Sequence, residues 1–101
     1  MENIESCKQF ASELIKQNLY FKDSVIELLT ALSLLSLERG HSYNDVPFIK
    51  SMLNENRYFE LFTQFDDLDS NSEAFLAFKL FQSNSRSGEA EKAYNLLKIL
   101  L

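Results

Sequence analysis

Residues 24–40 (SVIELLTALSLLSLERG) carry apolar side chains around almost the whole circumference of a helix, and this segment constrains the fold most. A helix of this kind is either buried at the centre of a domain or covered by another protein. Gly40 stands at its end, where a helix C-terminus accommodates a residue with positive φ. The sequence therefore predicts a central, buried helix over 24–40. Its thin polar strip consists of Glu27, Thr30, Ser33 and Ser36.

The composition favours an all-α protein. The chain has 101 residues, of which 46% are hydrophobic, and this is enough for one hydrophobic core. It contains only two glycines and one proline, whereas all-β folds need turn residues every few positions. We predict a single domain over residues 1–101, built from five or six short helices that pack as irregular antiparallel hairpins.

Apolar residues at helical spacing place the remaining helices. Two pairs, Ser24 with Glu27 and Ser70 with Glu73, match capping boxes at helix N-termini. Pro47 falls in a first turn, where its missing N–H is tolerated. The other predicted helices cover 3–18, a segment from Asn44 or Asp45 to 54–56, 57–65, 73–83 and 89–101, with connections at 19–23, 66–72 and 84–88.

Charge and cysteine content exclude several classes of partner and location. The net charge is −5 and no basic stripe is present, so we expect neither nucleic acid nor an anionic membrane surface as a partner. The 24–40 segment is too short and too interrupted to insert across a bilayer. Residues 1–10 lack the basic leader and apolar run of a secretory signal. Because Cys7 is the single cysteine, we expect a reducing, cytoplasmic location.

The sequence offers little for catalysis or cofactor binding. Cys7 falls on the apolar line of the first helix, where a thiol usually fills the core and is inert. His41 follows a helix C-terminus and has no evident catalytic partner in the sequence, so we interpret it as a surface or capping residue. We expect no enzyme activity, no cofactor and no metal site.

One loop imitates the opening of a calcium-binding EF-hand. Asp67, Asp69 and Asn71 have the spacing of the first ligands in such a loop. Ser72 stands where the sharp turn needs glycine, and Phe78 stands where the bidentate acid belongs. We interpret this stretch as an acidic, helix-capping loop.

The second half of the chain holds more aromatic residues than two short helices readily hide. Phe75, Phe78 and Phe81 fall three residues apart, which is typical of a helix face in the core. We interpret most of these aromatic residues as core. The alternative is that some of them line a groove that holds a helix of a partner protein. The candidate partner-binding residues are Leu32, Tyr58, Phe62, Phe65, Phe78 and Phe81.

Two stretches resemble parts of tetratricopeptide repeats, in which a glycine turn joins two closely packed helices. Gly88 and Ala93 match that turn and the small residue after it, and Leu80 falls on a large apolar position of the preceding helix. Gly40, with the residues around it, gives a looser copy. The resemblance covers 25–54 and 73–101. The residues Leu28, Leu29, Ala31, Leu35, Gly40, Tyr43, Asp45, Ile49 and Leu53 look similar to the opening of the small chaperones of type III secretion needle subunits.

This resemblance implies a short cytoplasmic protein whose concave apolar groove sequesters the amphipathic helix of an aggregation-prone partner. We therefore expect a protein-binding module, a chaperone or adaptor. An immunity or antitoxin protein that neutralises a basic toxin or bacteriocin is a second hypothesis, because small acidic helical chains often act in this way. A third is a helical dimer that buries its apolar surface against its own copy.

Overall fold

The computed structural model describes residues 2–16, 22–86 and 88–101, and within them the chain forms helices and turns but no strand. The all-α prediction is confirmed. A short 3₁₀ turn, Tyr58–Glu60, precedes the fourth helix. The helices are α1 (Glu2–Leu14), α2 (Lys22–Glu38), α3 (Val46–Glu55), α4 (Leu61–Asp66), α5 (Glu73–Asn84) and α6 (Glu89–Leu100).

Helix α2 lies at the centre of the fold, as its all-round apolar pattern predicts. It packs most extensively against α5 and α1, then against α6 and α3. Eleven of its 17 residues are buried. Two hydroxyls of the polar strip have local partners: Thr30 Oγ1 donates to the Ile26 carbonyl at 2.7 Å, and Ser36 Oγ donates to the Ser42 carbonyl at 2.6 Å. The buried Ser33 hydroxyl has no hydrogen-bond partner among the described residues.

The two ends of α2 differ in how well the sequence predicts them. The C-terminus is confirmed: Gly40 has φ of 82°, its N–H donates to the Leu37 carbonyl, and the His41 N–H donates to the Ser36 carbonyl. This pair of hydrogen bonds is a Schellman motif. The N-terminus is wrong, since the helix begins at Lys22 and Ser24 lies inside it, buried. The predicted capping box at Ser24 is therefore not formed.

The predicted capping box at Ser70 is also wrong. Ser72 is the N-cap of α5, and its Oγ accepts the N–H of Phe75 at 3.0 Å. Ser70 instead lies in the preceding turn, which the Asp69 carboxylate stabilises by accepting the Asn71 N–H at 2.8 Å. This local hydrogen bond shifts the helix start by two residues.

Helix α1 is shorter than predicted. It ends at Leu14, and Ile15 and Lys16 follow without helical structure. Residues 17 and 18 of the predicted helix 3–18, and residues 19–21 of the predicted connection, lie outside the described residues. Cys7, Ala11 and Ile15 form the buried face of this segment.

Helices α1 and α5 both run antiparallel to α2 and flank one strip of its surface. Near the start of α2, the Asn84 side chain at the end of α5 donates to the Glu27 carboxylate at 3.3 Å. Near the end of α2, residues from the first turns of α1 and α5 line a pocket together with Leu34 and Leu37. Because α1 and α5 run the same way over one strip of α2, a groove is left between them.

The tetratricopeptide-like arrangement of the later helices is not confirmed. Gly88 has φ of 83° immediately before α6, as its place in the predicted turn requires, and Ala93 is buried. However, α6 packs on α2 and α3, whereas α5 packs on α2 and α4. In the part of the chain that the structure describes, the close contact between α5 and α6 that such a hairpin needs is not found.

Candidate functional site

Four of the six predicted partner-binding residues are in the core, and their assignment to an open groove is wrong. Leu32 is 1% exposed, and Phe65, Phe78 and Phe81 are 0% exposed. The physical reason is aromatic packing between α4 and α5. The rings of Phe65 and Phe78 stack with centroids 4.1 Å apart, and Phe81 lies 5.8 Å from Phe78. These side chains fill the interior and cannot contact a partner.

The other two predicted residues, Tyr58 and Phe62, are half-buried and cover this aromatic cluster. The two rings meet edge-on at 5.2 Å, and Phe62 meets Phe78 edge-on at 5.6 Å. Tyr58 also contacts the ring of Tyr94 at 5.8 Å. Burial raises the pKa of Tyr58, and the nearby Glu91 carboxylate adds to the shift. Both residues therefore cover one side of the buried aromatic cluster.

An apolar groove does exist, but it lies on the other side of α5, between α5 and α1. Its main pocket has a volume of about 140 Å³. We call this surface the α1–α5 groove. Its walls are Ile4, Lys8 and Ser12 from α1 and Ala77 and Leu80 from α5, and its floor is Ile26, Glu27 and Thr30 from α2.

The floor of the groove is less polar than its sequence indicates. Thr30 is almost fully buried, and its hydroxyl donates to the Ile26 carbonyl of the preceding turn, so this polar group is satisfied within α2. The Glu27 carboxylate accepts a hydrogen bond from the Asn84 side-chain amide. The pocket is therefore largely apolar, with Lys8 and Glu27 as the charged residues of its described lining.

Two leucines on the outer edge of α5 extend the apolar surface beyond the pocket. Leu80 is 52% exposed and Leu76 is 55% exposed. They are four residues apart and so lie one above the other on the same helix face. Single exposed hydrophobic residues are normal on a protein surface. A large apolar side chain beside an apolar pocket is instead typical of a binding surface.

Sequence reasoning missed this surface although α5 contains a signal for it. The buried face of α5 is made by Ala74, Ala77, Phe78 and Phe81. The two remaining leucines fall outside the roughly 100°-wide stripe that one core-facing helix needs. The aromatic residues led to a predicted groove on the Phe78 and Phe81 side of α5, whereas the pocket lies on the side of α1.

A second pocket lies further along the same three helices, toward the end of α2 and the starts of α1 and α5. Its volume is about 290 Å³. Relative to the apolar pocket, α1 contributes Asn3 in place of Ile4, and α5 contributes Ala74 in place of Ala77. The carboxylates of Glu38 and Glu73 make this end of the groove acidic. Among the described residues, its lining is Asn3, Leu34, Leu37, Glu38, Glu73 and Ala74.

The candidate residues for chemistry lie apart from one another and from this groove. Cys7 is fully buried, and desolvation raises the pKa of its thiol to about 11, with a smaller contribution from Glu73. A neutral, inaccessible thiol is a poor nucleophile. Among the described residues, no group of three or more His, Cys, Asp and Glu side chains is arranged to hold a metal ion.

His41 contacts Asp45, the residue that caps the N-terminus of α3. Its Nδ1 lies 3.0 Å from Asp45 Oδ2, and its ring stacks on Phe48 with centroids 4.0 Å apart. Asp45 is the N-cap of α3, because its Oδ1 accepts the N–H of Phe48 at 3.1 Å. These contacts link the end of α2 to the start of α3.

This cap predicts a pH dependence of stability. The Phe48 N–H, followed by His41, lowers the pKa of Asp45 below its usual value. The cap therefore contributes stability above the ordinary aspartate pKa of about 4 and loses it as the pH falls through the lower, folded-state pKa. We expect the urea midpoint of the native protein to fall from pH 5 to pH 2, and to fall less in Asp45→Asn, which keeps an N-cap acceptor. Identical falls in the two proteins would contradict this assignment.

Within the described ranges, no helix combines the length and apolar character that a membrane crossing requires. No family model, curated protein or solved structure matches the chain.

Proposed function

We propose that this protein is a protein-binding module, a chaperone or adaptor that holds an amphipathic helix of a partner in the α1–α5 groove. The observation that supports the proposal is the apolar pocket beside two half-exposed leucines, Leu76 and Leu80. Helices commonly bind other proteins by laying an apolar face into a groove of this kind. The buried aromatic cluster makes no part of this surface.

The size of the pocket supports a single anchoring side chain. A cavity of about 150 Å³ accommodates a benzene molecule, and the pocket here is about 140 Å³. One leucine or phenylalanine of the partner would fill it, and neighbouring apolar residues of the same helix face would pack on Leu76 and Leu80. Anchors of this type carry most of the affinity of an interface.

Substitution of Leu80 tests the proposal. We expect Leu80→Asp to weaken binding of a fluorescein-labelled amphipathic helical peptide, with leucines along one face, at least tenfold in fluorescence anisotropy. The reason is that burial of a leucine contributes about 1.5–3 kcal/mol, and about 1.4 kcal/mol corresponds to a tenfold change in affinity. Ile99→Asp is the matched control, since Ile99 is 80% exposed on α6 and lines neither pocket of the groove.

Equal affinity of the peptide for Leu80→Asp, Ile99→Asp and the native protein would contradict the groove.

Two measurements, the salt dependence of binding and sedimentation, separate this function from the alternatives. Capture of a basic toxin by an immunity protein would weaken steeply with salt, whereas capture of an apolar helix would not. Sedimentation of the purified protein tests self-association, because a dimer that buries its own groove would not be monomeric.

The location we propose is the cytoplasm. The free, buried thiol of Cys7 supports a reducing compartment. An aggregation-prone helical subunit, such as the partners of the secretion chaperones that the sequence resembles, is one class of client that an apolar groove would protect.

A further inference from the structure

We infer that the partner helix carries an aspartate or glutamate beside the large apolar side chain that fills the pocket, and that Lys8 of α1 pairs with this carboxylate. This inference rests on the proposed function and adds the chemistry of the partner. It follows from the position of Lys8 in the wall of the pocket and from the partners of the other charged groups nearby.

Lys8 is part of the α1 wall of the apolar pocket. It lies between Ile4 and Ser12 along the helix, and all three line the pocket because residues four apart share one helix face. Lys8 is nevertheless exposed to solvent. A lysine in such a position lays its aliphatic stem on the apolar surface and keeps its ammonium group in water. The positive charge therefore stands at the mouth of the pocket.

The other charged residue of the described lining, Glu27, already has a partner. Both oxygens of its carboxylate lie 3.3 Å from Asn84 Nδ2, which donates to them from the end of α5. By contrast, the Lys8 ammonium group forms neither a hydrogen bond nor an ion pair with the residues that the structure describes. Lys79 of α5 differs in this respect, since its Nζ lies 3.4 Å from Asp66 Oδ1. The cation at the pocket is therefore available to a bound partner.

A helix that covers the pocket removes water from one side of this ammonium group. A cation that loses hydrating water without gaining an acceptor weakens the complex, whereas a carboxylate replaces that water with a charge-assisted hydrogen bond. A lysine or arginine of the partner at the same place would meet a like charge. The groove therefore selects an acidic residue next to the apolar anchor of the partner.

The charge of the whole protein does not account for such a selection. The net charge is −5, so the long-range field of the protein repels acidic peptides. Any advantage of an acidic residue in the partner must therefore come from a local contact. Among the described residues that line the apolar pocket, only Lys8 carries a positive charge.

Removal of the lysine charge and of the peptide charge in combination tests the inference. The probes are two helical peptides with leucines along one face, in which the positions on either side of the leucine stripe are all glutamate or all glutamine. We expect Lys8→Met, which keeps an unbranched apolar stem, to lower the affinity of the glutamate peptide relative to the glutamine peptide about threefold in fluorescence anisotropy, within the range of exposed ion pairs. Lys8→Arg, which keeps the charge, should leave this ratio unchanged. Lys50→Met is the matched control, since Lys50 of α3 is exposed, lines neither pocket of the groove and changes the net charge equally when replaced.

The outcomes distinguish the inference from the function on which it rests. An unchanged ratio in Lys8→Met, or an equal change in Lys50→Met, overturns the inference, because the ratio then does not depend on a contact at the pocket. If in that case replacement of the central leucine by alanine still weakens binding to the native protein, the groove remains a helix-binding site. Absence of binding by both peptides overturns both proposals. A lowered ratio in Lys8→Met alone, with the native ratio in Lys8→Arg and Lys50→Met, supports both.

Discussion

Replacement of Phe78 by alanine should lower the free energy of unfolding by about 3–5 kcal/mol, the usual cost of removing a large buried aromatic side chain. Phe78 is fully buried, its ring stacks on Phe65 at 4.1 Å, and Phe62 and Phe81 pack against it. Small domains are stable by only about 5–15 kcal/mol, so the variant should be close to unfolding. Urea denaturation followed by circular dichroism measures the change.

Phe59→Ala is the matched control. Phe59 is 59% exposed, and its truncation should change the free energy of unfolding by less than about 0.5 kcal/mol. If Phe78→Ala had the native urea midpoint, Phe78 could not be a core residue, and the originally predicted aromatic groove would again be the better candidate. The pair therefore decides between core and surface roles for the aromatic cluster.

Removal of the Tyr94 hydroxyl should have the second-largest effect on stability, a loss of about 1–3 kcal/mol in Tyr94→Phe. Tyr94 of α6 is buried, and its hydroxyl donates to the carbonyl of Leu53 at 3.1 Å and also contacts the carbonyl of Asn56. Both carbonyls lie at the C-terminal end of α3, where the helix itself supplies no partner. Without the hydroxyl, they are left buried and unsatisfied.

Tyr43→Phe provides the comparison for this loss. Tyr43 is half-buried and its ring meets Phe10 edge-on, so the substitution removes the same atom at a more accessible position. The midpoint temperatures of thermal unfolding of Tyr94→Phe and Tyr43→Phe should differ by several degrees, since a change of 1 kcal/mol in the free energy of unfolding corresponds to about 4–8 °C for a domain of this size. Equal midpoints would show that the Tyr94 hydroxyl does not hold the end of α3.

The local signals predicted the helices better than they predicted their N-termini. The all-round leucine pattern identified α2, and Gly40 marked its end, because both features act through neighbours in the sequence. Ser24 and Ser70 were wrong as caps, because serine followed three residues later by glutamate also occurs where a helix has already begun or a turn intervenes. A cap depends on the backbone before it as well as on the residue pattern.

The α1–α5 groove was not predictable in the same way. In α5, Leu76 and Leu80 are as apolar as Phe78 and Phe81, and periodicity alone does not say which pair faces α2. The position of α4 settled this point, since Phe65 stacks on Phe78 and draws that face of α5 inward. Leu80 was consequently left on the side of α1, where it lines the groove, and Leu76 was left exposed.

By itself, the sequence determined that this protein is helical, that its second helix is the central one, and where glycine ends that helix. These properties follow from side-chain spacing and backbone conformation within a few residues. Only the tertiary structure decided that α1 and α5 share one strip of α2, that α6 packs on α2 and α3, and that an apolar pocket adjoins an acidic one. Those arrangements depend on contacts between residues far apart in the chain, where many pairings of apolar faces have similar local energies and close packing selects one.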